Sequence, residues 1–315
     1  MTDKISLVII TRNRAKMLEV CLESLTKQSI LPDEIIVVDN ASTDNTKEVI
    51  ASYSSSDTTP KLPIRYIYEK RIGMPYAQNR GIKEVSGDIM LFLDDDCVAE
   101  KHWTENMIKS HKKYPKAWAI QGRTYSITKN KTYGLLAEFN RFISVQKHAK
   151  TNHPLSMEKY FSKNFNEEIE FLTIDGNNFS LKRSYLKKYK LHLDEKFYRG
   201  LDTDLGKQII EKNGSIVLFS NTCVFHQERS TLYDFLEQRW HTGRTTARIE
   251  KKWKFPSLKT NMIQFPKKTF YFFLFCKISS PWANLPLLLF IFLLDKLYYL
   301  NGYFYEKRLL SLSEQ

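Results

Sequence analysis

Two sequence patterns alternate over the first 120 residues of this chain, and few folds accommodate such an alternation. Short runs of β-branched and other apolar residues predict strands, and the longer stretches between them, where apolar residues recur every three or four positions, predict amphipathic helices. Because short strand–helix–strand connections join parallel neighbours, the pattern predicts an α/β fold with a mostly parallel central sheet flanked by helices. The predicted strands are residues 5–10, 34–38, 64–68, 88–93 and 117–120.

Helices are predicted between and after these strands, near residues 17–25, 43–52, 75–85 and 102–113. Residues 122–170 show no steady period, so we expect an irregular excursion over one edge of the sheet. Regular patterns return in strands at 177–182 and 215–219 and in helices at 202–212 and 231–252.

The composition excludes several classes of protein. Hydrophobic residues make up 42% and charged residues 26% of the chain, which is typical of a globular protein rather than of a collagen-like, low-complexity or disordered one. The four cysteines show no Cys-x-x-Cys spacing, so neither a disulfide framework nor a zinc site is predicted. The apolar run near the N-terminus is shorter than the roughly 7–15 residues of a secretory signal, which predicts a cytoplasmic protein.

Positive charge is concentrated in the last quarter of the chain. Lys and Arg outnumber Asp and Glu by 48 to 35 overall, and by 13 to 5 from residue 237 onward. Such an excess attracts nucleic acids, anionic membranes or phosphorylated substrates. Trp240, Trp253 and Phe255 lie among these basic residues, but the segment matches no nucleic-acid-binding motif, so no nucleic-acid partner is predicted.

The strongest apolar runs, residues 269–276 and 281–294, lie in the same basic region. Neither reaches the roughly 20 apolar residues of a simple membrane span, and runs of this length are typical of interfacial or buried helices. Aromatic residues and lysines at their edges favour the membrane interface, whereas packing against the rest of the protein is the alternative. We therefore predict a peripheral protein on the inner face of the cell membrane, in contact with an anionic lipid surface.

Polar side chains follow three of the predicted strands. Residues 11–14 follow the first strand, residues 39–44 the second, and Asp94, Asp95 and Asp96 the fourth. The carboxyl ends of parallel strands meet at one edge of the sheet, where ligands bind. Three adjacent carboxylates repel one another unless a cation is present, and their oxygens suit Mg²⁺ or Mn²⁺, which also take oxygens from a substrate diphosphate. A solvated acidic turn is the alternative.

The opening segment SLVIITRNRAKMLEVCLESLTKQSILPDEIIVVDNASTDNT resembles that of the family 2 glycosyltransferases, which have the GT-A nucleotide-diphospho-sugar transferase fold. The resemblance is close over residues 5–122 and weaker over 170–245. It implies that Thr11, Arg14 and Asp39 hold the nucleotide base. Because a carboxylate accepts the imide N–H of uracil, Asp39 favours a uridine nucleotide, and capping of the following helix is its alternative role.

Residues 69–81 resemble the family's segment in which a glycine-containing loop opens a helix. This resemblance implies that Gly73 lets the chain approach the nucleotide closely. It also implies that Arg71 or Arg80 faces the diphosphate or the three aspartates, with an ordinary surface position as the alternative for either arginine.

An Asp-x-Asp pair binds the metal and the donor in this family, and these roles fall on Asp94 and Asp96, with Asp95 between them beside the donor. His226, after the run SIVLFSNTCVF, is similar to a histidine that completes the metal shell in some members of the fold. A structural or surface histidine is the alternative. The implied cofactor is Mn²⁺ or Mg²⁺, and an imidazole ligand suits Mn²⁺ better.

Residues 199–206, RGLDTDLG, resemble the family's Gly-Glu-Asp-x-Asp-Leu segment at the start of a helix. The resemblance gives Asp202 the position of the catalytic base, while Leu201 replaces the usual Glu. First-turn carboxylates stabilised by the helix dipole are the alternative for Asp202 and Asp204. Asn177, in the segment GNN, resembles a residue of the loop that lines the donor-sugar or acceptor pocket, with a plain turn as its alternative.

The resemblance implies a catalytic domain over residues 1–230, with a nucleotide-binding half at 1–122 and an acceptor half at 123–230. A basic, apolar helical region at 231–315 follows. The expected reaction is the metal-dependent, inverting transfer of a sugar from a nucleotide-diphosphate donor, predicted to be a UDP-sugar, to a hydroxyl group. The expected acceptor is a glycan or a lipid-linked molecule in cell-envelope polysaccharide or glycolipid synthesis.

Two alternative functions stay open. A sugar-1-phosphate nucleotidyltransferase uses a similar sheet and a metal, but it requires a glycine-rich loop after the first strand, and TRNRAKM has no glycine. A non-catalytic membrane-binding or glycan-binding protein on the same scaffold would keep the basic tail and lose the carboxylates, which this chain retains.

Overall fold

The computed structural model describes residues 3–55, 61–128, 131–151, 155–162, 167–197, 199–228, 231–254, 272 and 285–312. The chain forms two compact units. The first, called here the sheet unit, comprises Met1–Tyr125, His148–Pro154 and Ser162–Gln227. The second, called the helical unit, comprises Ser126–Lys147, Leu155–Phe161 and Glu228–Gln315.

The strands are β1 (Ile5–Thr11), β2 (Glu34–Asp39), β3 (Ile64–Tyr68), β4 (Ile89–Leu93), β5 (Cys97–Ala99), β6 (Ala119–Ile127), β7 (Glu168–Phe171), β8 (Asn178–Lys182) and β9 (Ile216–Gln227). Among the described residues, these nine strands form one sheet with the order β3-β2-β1-β4-β8-β6-β9-β5, and β7 pairs with β9.

One half of the sheet is parallel. β1 pairs with β2 and with β4, and β2 pairs with β3, all in parallel orientation. Leu7, Ile35 and Leu91 are fully buried, as expected of parallel strands that are covered on both faces. β8 then joins β4 in antiparallel orientation, and β6 joins β8 in the same way. The predicted α/β fold is confirmed, in the form of a mixed sheet.

The helices are α1 (Ala15–Thr26), α2 (Thr46–Ser54), α3 (Met74–Glu84), α4 (Trp103–Lys113), α5 (Lys131–His148), α6 (Met157–Phe161), α7 (Arg183–Lys188), α8 (Leu201–Glu211), α9 (Leu232–Trp253) and α10 (Leu285–Leu312). α1 shows how the sequence period leads to a helix, since Leu18, Leu22 and Leu25 form one fully buried face. The predicted helices near 17–25, 43–52, 75–85, 102–113, 202–212 and 231–252 are confirmed to within a few residues.

Residues 122–170 are more regular than predicted. β6 continues to Ile127, α5 follows after a short gap, and α6 and β7 come next, so the prediction of an irregular excursion is wrong. The apolar residues that α5 buries recur every three positions, which blurs the 3.6-residue period that identifies a helix. These buried residues are Tyr133, Leu136, Phe139, Phe142 and Val145.

β9 is also longer than the predicted strand at 215–219. It continues to Gln227 because β5 pairs with its second half, with Cys97 opposite His226. The pairing partner is distant in the sequence, so the local pattern gave no sign of the extension.

In the helical unit, α9 and α10 pack along much of their length and run in the same direction. Arg239 forms an ion pair with Asp295 early in the contact. Glu306, eleven residues further along α10, pairs with Arg244 and Arg248. Because the partners advance together along both helices, the two helices are parallel.

Two glycines bring α9 and α10 close together. A β-carbon at Gly243 would lie 1.9 Å from the carbonyl oxygen of Tyr299, and one at Gly302 would lie 2.0 Å from that of Trp240. Only glycine fits at either position. The close approach also lets Trp240 Nε1 donate a hydrogen bond to Asn301 Oδ1 at 3.1 Å.

α10 continues the predicted apolar run 281–294 through Asp295 and Lys296 as one helix of 28 residues. Within the described parts of the chain it is the one helix long and apolar enough to cross a membrane, over Pro286–Leu312 with a mean hydropathy of 1.3, on length and composition alone. The other predicted apolar run, residues 269–276, lies outside the described residues except for Phe272, and Phe255 lies outside them as well.

Candidate active site

Thr11 and Asp39 lie side by side where β1 and β2 end. They are register partners in the parallel ladder, and both are buried. Asp39 Oδ2 accepts a hydrogen bond from Tyr66 Oη at 2.9 Å, and Oδ1 accepts one from the backbone N–H of Ser42 at 2.9 Å. Burial and the bond to Asp39 raise the pKa of Tyr66 to about 12, so Tyr66 stays a donor. Asp39 is therefore held in place at the predicted nucleotide-base position.

Asp44, and not Asp39, makes the capping hydrogen bonds at the start of a helix. Asp44 Oδ1 accepts hydrogen bonds from Thr46 N at 3.2 Å and Thr46 Oγ1 at 2.5 Å at the start of α2. Asp44 Oδ2 accepts a third from the backbone N–H of Ala15 at 3.0 Å, at the start of α1. One carboxylate thus stabilises two helix N-termini.

Asn40, which the sequence analysis did not single out, holds the Gly73 loop against the end of β2. Asn40 Oδ1 accepts a hydrogen bond from Gly73 N at 2.7 Å, and Asn40 Nδ2 donates to the carbonyl oxygens of Glu69 and Arg71 at 3.2 and 2.7 Å. Gly73 has φ of +144°, a value that other residues rarely adopt. The position of Asn40 directly after Asp39 is the signal that could have found it.

Arg71 and Arg80 form ion pairs with neighbouring glutamates. Arg71 Nε lies 3.1 Å from Glu69 Oε1, and the Arg71 side chain is 52% exposed. Arg80 Nη2 lies 3.1 Å from Glu84 Oε1, one turn further along α3. These are the contacts of surface arginines, and the predicted role of Arg71 or Arg80 toward the diphosphate or the three aspartates stays a prediction.

The three aspartates after β4, called here the acidic cluster (Asp94, Asp95 and Asp96), meet two positively charged or chargeable side chains. Arg14 Nη1 lies 3.0 Å from Asp95 Oδ1 and 3.0 Å from Asp96 Oδ2. His226 Nε2 lies 3.3 Å from Asp96 Oδ1, because the pairing of β5 with β9 brings it there. The structure therefore gathers Arg14 and His226, predicted for separate roles, at the same cluster.

Burial and mutual repulsion change the ionisation of the acidic cluster. Burial, together with the charge of Asp96, raises the pKa of Asp94 to about 8. Burial also raises the pKa of Asp95, although the Arg14 guanidinium opposes that shift. Burial by itself would lower the pKa of Arg14, but Asp95 and Asp96 outweigh it and raise that pKa. The cluster is thus a place that favours a bound cation.

Asp94, Asp96 and His226 are the predicted metal ligands, and the contact between Asp96 and His226 brings two of them together. Within the part of the chain that the structure describes, no three His, Cys, Asp or Glu side chains form a ready-made metal cage. Mg²⁺ is commonly held by one or two carboxylates plus substrate phosphates, and Mn²⁺ accepts the same oxygen ligands. The residues present therefore fit a site that diphosphate oxygens complete.

Asp202 lies in the first turn of α8, after Gly200, whose φ of +74° is in the left-handed region. Burial and the charge of Asp175 raise the pKa of Asp202 to about 6. The charge of Asp202 in turn contributes to the raised pKa of Asp94. A small cavity is lined by Asp94 and by Gly176, the glycine that lies against Asp202. The predicted base and the acidic cluster are therefore close neighbours.

Asp204, two residues after Asp202, has a different environment. It is fully buried, and its Oδ2 accepts a hydrogen bond from Gln208 Nε2 at 2.9 Å, one turn along α8. Its contact is that of a structural residue inside the fold.

Asn177 Oδ1 accepts a hydrogen bond from Thr124 Oγ1 at 2.9 Å, which links the predicted pocket loop to β6. The next residue, Asn178, is fully buried and accepts a hydrogen bond from Trp103 Nε1 at 2.8 Å. Gln121 Oε1 accepts a hydrogen bond from the backbone N–H of residue 175 at 2.7 Å and so fixes the start of this loop. Gln121 was not predicted as a site residue, although its position directly after the predicted strand 117–120 is the signal that could have found it.

Comparison with known proteins gives a consistent family assignment. The family model described as Glycosyl transferase family 2 matches residues 6–190, more than half of the chain. The uncharacterized glycosyltransferase YwdF of Bacillus subtilis (strain 168) is 41% identical over 107 residues, which cover 34% of this chain and 37% of that protein. Glycosyltransferase AglE of Haloferax volcanii is 32% identical over 108 residues, 34% of either protein. The chain thus matches little more than a third of the length of these two relatives.

A longer match is to a Methanococcus voltae protein named dolichyl N-acetyl-alpha-D-glucosaminyl phosphate 3-beta-D-2,3-diacetamido-2,3-dideoxy-beta-D-glucuronosyltransferase. It is 25% identical over 265 residues, which cover 80% of this chain and 77% of that protein. Among solved structures, the chain resembles the crystal structure of GalNAc-T7 with UDP, GalNAc and Mn²⁺, with a TM-score of 0.55 and 16% identity over 72% of this chain and 44% of that one. This likeness shows the fold, and it confirms the predicted GT-A architecture.

Proposed function

Because the chain belongs to glycosyl transferase family 2, we propose that it is an inverting glycosyltransferase that uses a UDP-sugar as donor. The proposed acceptor is a hydroxyl group of a glycan or of a lipid-linked molecule in cell-envelope polysaccharide or glycolipid synthesis. The acceptor oxygen attacks the anomeric carbon, the bond from that carbon to the diphosphate oxygen breaks, and UDP leaves with the electron pair. Asp202 takes up the acceptor proton.

The position of Asp202 beside the acidic cluster is the observation that carries this proposal. A general base has to be ionised when the acceptor binds and must still be basic enough to take a proton. A carboxylate whose pKa is raised to about 6 meets both needs near neutral pH. An ordinary surface aspartate is a much weaker base.

The surroundings of Asp39 support uridine as the base of the donor. Its carboxylate can accept the imide N–H of uracil, whereas cytosine carries no hydrogen on the corresponding ring nitrogen. Tyr66 and the turn at Ser42 hold the carboxylate, and Thr11 lies beside it. The GalNAc-T7 structure was solved with UDP, which is consistent with the same donor class here.

The acidic cluster supports a divalent cation as cofactor, Mn²⁺ or Mg²⁺. Such a cation, when bound, neutralises the charge that develops on the departing diphosphate. In this chain Asp96 and His226, with Asp94 beside them, would hold it. The Mn²⁺ of the GalNAc-T7 structure supports this assignment.

A lipid-linked acceptor is supported by the relative from Methanococcus voltae. That protein is named for transfer to a dolichyl-linked sugar phosphate, and its match extends over 80% of this chain. A membrane-bound acceptor of this kind is reached most readily by an enzyme that itself binds the membrane surface.

The outer face of α10 supports an anionic membrane as a partner. Large apolar side chains recur along this face, at intervals of three or four residues from Leu287 to Leu297 and again from Tyr305 to Leu312, and all of them are exposed. This set, called here the α10 stripe, comprises Leu287, Phe290, Leu293, Leu297, Tyr298, Phe304, Tyr305, Leu309 and Leu312. Lys251 and Lys252, exposed near the end of α9, add attraction for anionic headgroups.

The opposite face of α10 argues against a helix that crosses the bilayer. Asp295 and Glu306 are buried there in ion pairs with three arginines of α9. A crossing would carry these charged side chains into the hydrocarbon, which is costly, whereas an interfacial position leaves them inside the protein. We therefore propose a cytoplasmic enzyme that is peripheral on the inner face of the cell membrane.

Asp202→Asn tests the proposed function. In an assay of UDP release from a panel of UDP-sugars with Mn²⁺, the variant is expected to lose turnover by at least about a hundredfold, the usual range for a general base. Its melting temperature should still rise with UDP as that of the wild type does. Asp234→Asn is the matched control, because Asp234 is also a first-turn helix aspartate and lies in α9. This control should keep its turnover.

The two alternative functions give different results in the same assay. A nucleotidyltransferase forms or consumes pyrophosphate rather than releasing UDP. A non-catalytic protein binds UDP or membrane and releases no UDP with any donor or acceptor. Full turnover in Asp202→Asn would contradict the assigned base.

A further inference from the structure

One nitrogen of Arg14 bridges two carboxylates of the acidic cluster. Nη1 lies 3.0 Å from Asp95 Oδ1 and 3.0 Å from Asp96 Oδ2, and both aspartates are 4% exposed. Two buried carboxylates this close are strongly unfavourable without a positive charge between them. Arg14 thus provides positive charge at Asp96, whose other carboxylate oxygen, Oδ1, faces His226 at the predicted metal position.

The two sides of this ion pair differ in how firmly they are fixed. Asp96 is held by its backbone, since its carbonyl oxygen accepts a hydrogen bond from Gln227 N at 2.8 Å and the next residue pairs with β9. The Arg14 side chain is 31% exposed and extends from the residue that precedes α1. The guanidinium can therefore leave Asp96 while Asp96 stays in place.

A guanidinium on Asp96 Oδ2 opposes a divalent cation on Asp96 Oδ1, because two positive charges on one buried carboxylate repel each other at that distance. A donor diphosphate offers the guanidinium an alternative partner of the kind it binds best, with two parallel hydrogen bonds to phosphate oxygens. The presence of the nucleotide therefore lowers the cost of moving Arg14 away from Asp96.

We infer that Arg14 is a positioning residue that occupies the acidic cluster until the donor arrives and then transfers its guanidinium to the donor diphosphate. The consequence is that a divalent cation binds weakly to the protein alone and tightly to the protein with its nucleotide. This inference rests on the proposed function, because it assumes a nucleotide diphosphate and a divalent cation at this edge of the sheet.

The test measures Mn²⁺ binding to the protein by electron paramagnetic resonance of the unbound ion, with and without UDP, after subtraction of the Mn²⁺ that UDP binds in a protein-free series, because the diphosphate itself binds the ion. The wild type is expected to bind Mn²⁺ at least about tenfold more tightly in the presence of UDP. Arg14→Gln is expected to bind Mn²⁺ without UDP at least about tenfold more tightly than the wild type, because the competing charge is gone. The additional effect of UDP should be correspondingly smaller in this variant.

Two further variants separate charge from structure. Arg14→Lys keeps a positive charge, so its Mn²⁺ affinity without UDP should stay close to that of the wild type. Arg12→Gln is the matched control, since Arg12 lies in the same loop with its side chain exposed, and it should leave Mn²⁺ affinity unchanged. Thermal melts of all four proteins verify that each is folded.

The outcomes distinguish this inference from the function on which it rests. If Arg14→Gln binds Mn²⁺ without UDP no better than the wild type while UDP still promotes binding in both, Arg14 is not the competing charge and the proposed function stands. If no protein binds Mn²⁺ even with UDP, both the inference and the metal assignment at Asp96 and His226 are overturned.

Discussion

The backbone at Gly176 passes directly against the carboxylate of Asp202. A β-carbon at position 176 would lie 3.1 Å from Asp202 Oδ2 and 3.2 Å from its Cγ. Such distances are tighter than ordinary van der Waals contact, so any side chain at this position has to displace the carboxylate by a few tenths of an ångström. The glycine therefore determines where the proposed base stands.

Gly176→Ala is expected to lower kcat by about tenfold or more, because small displacements of a reacting group are costly in catalysis. The affinity for UDP should change little, since the nucleotide is proposed to bind at Asp39 on another part of the sheet edge. Steady-state kinetics and a UDP titration followed by calorimetry measure the two quantities. An unchanged kcat would show that the position of the Asp202 carboxylate is not critical.

The pH dependence of activity should report the ionisation of Asp202. The proposed base acts only when it is ionised, so kcat/KM is expected to rise with pH around a midpoint near 6, the raised pKa of this group. Asp175→Asn removes a charge that contributes to that shift, and the midpoint should move to lower pH. A rising limb that is identical in wild type and Asp175→Asn contradicts this assignment of the base.

The same raised pKa predicts an effect on stability. In the unfolded chain an aspartate ionises near pH 4, whereas Asp202 in the folded protein keeps its proton up to about pH 6. The folded state thus binds the proton more tightly, and the contribution of Asp202 to the free energy of unfolding falls as the pH rises from about 4 to 6. Asp202→Asn cannot ionise at this position. The free energy of unfolding of the variant minus that of the wild type should therefore be larger above pH 6 than at pH 4. Denaturant melts at both pH values measure this change, and a constant difference would count against a raised pKa.

Strand-end residues of this fold could be predicted because the geometry of a parallel sheet fixes them. Once β1 and β2 are recognised as adjacent parallel strands, Thr11 and Asp39 must end up side by side, and their register confirms this. The same rule placed Arg14 and the acidic cluster at one edge of the sheet, but the specific contact of Arg14 with Asp96 could not be predicted in this way. It depends on the turn after β4 and on the pairing of β5 with β9, two features that have no local sequence pattern.

Asp202 and Asp204 show the same limit on a smaller scale. The two residues have the same side chain in the first turn of one helix. Only the packing of α8 decides that Asp204 is fully buried and accepts a hydrogen bond from Gln208. The resemblance to the family separated the two aspartates, whereas helix periodicity alone gave no reason to prefer either one.

Glu306 should be among the most sensitive residues of the helical unit. Its side chain is fully buried and lies 2.6 Å from Arg244 Nε and 2.6 Å from Arg248 Nη2. Glu306→Gln leaves two partly buried guanidinium groups without their shared carboxylate, and such a loss costs about 3–5 kcal/mol. Denaturant unfolding followed by tryptophan fluorescence and circular dichroism measures the change over both units.

Glu23→Gln is the control for that measurement. Glu23 pairs with Lys27 at 2.8 Å on the surface of α1, where both side chains are more than half exposed. Removal of an exposed pair of this kind costs less than about 1 kcal/mol. Equal effects of the two substitutions would contradict the assignment of Glu306 as a buried centre of charge.

Membrane binding should depend on the α10 stripe. Phe290, Leu293 and Leu297 are 57%, 53% and 61% exposed, so their replacement by Ser removes little packing inside the protein. The triple variant is expected to float at least about tenfold less with vesicles of phosphatidylglycerol and phosphatidylethanolamine, because each side chain contributes apolar area to the interface. Val20 and Ile30, exposed to 44% and 45% on the sheet unit, provide the control when both are replaced by Ser. Full flotation of the triple variant would assign membrane binding to another surface.

Alkaline extraction then separates an interfacial α10 from one that crosses the bilayer. A protein held by the stripe and by basic residues is released when high pH neutralises its lysines, whereas a spanning helix stays in the vesicle pellet. Release is expected, because a spanning α10 would expose Asp295 and Glu306, or the arginines that pair with them, to hydrocarbon. Retention of the wild type after extraction would mean that α9 and α10 enter the bilayer together, with their ion pairs intact.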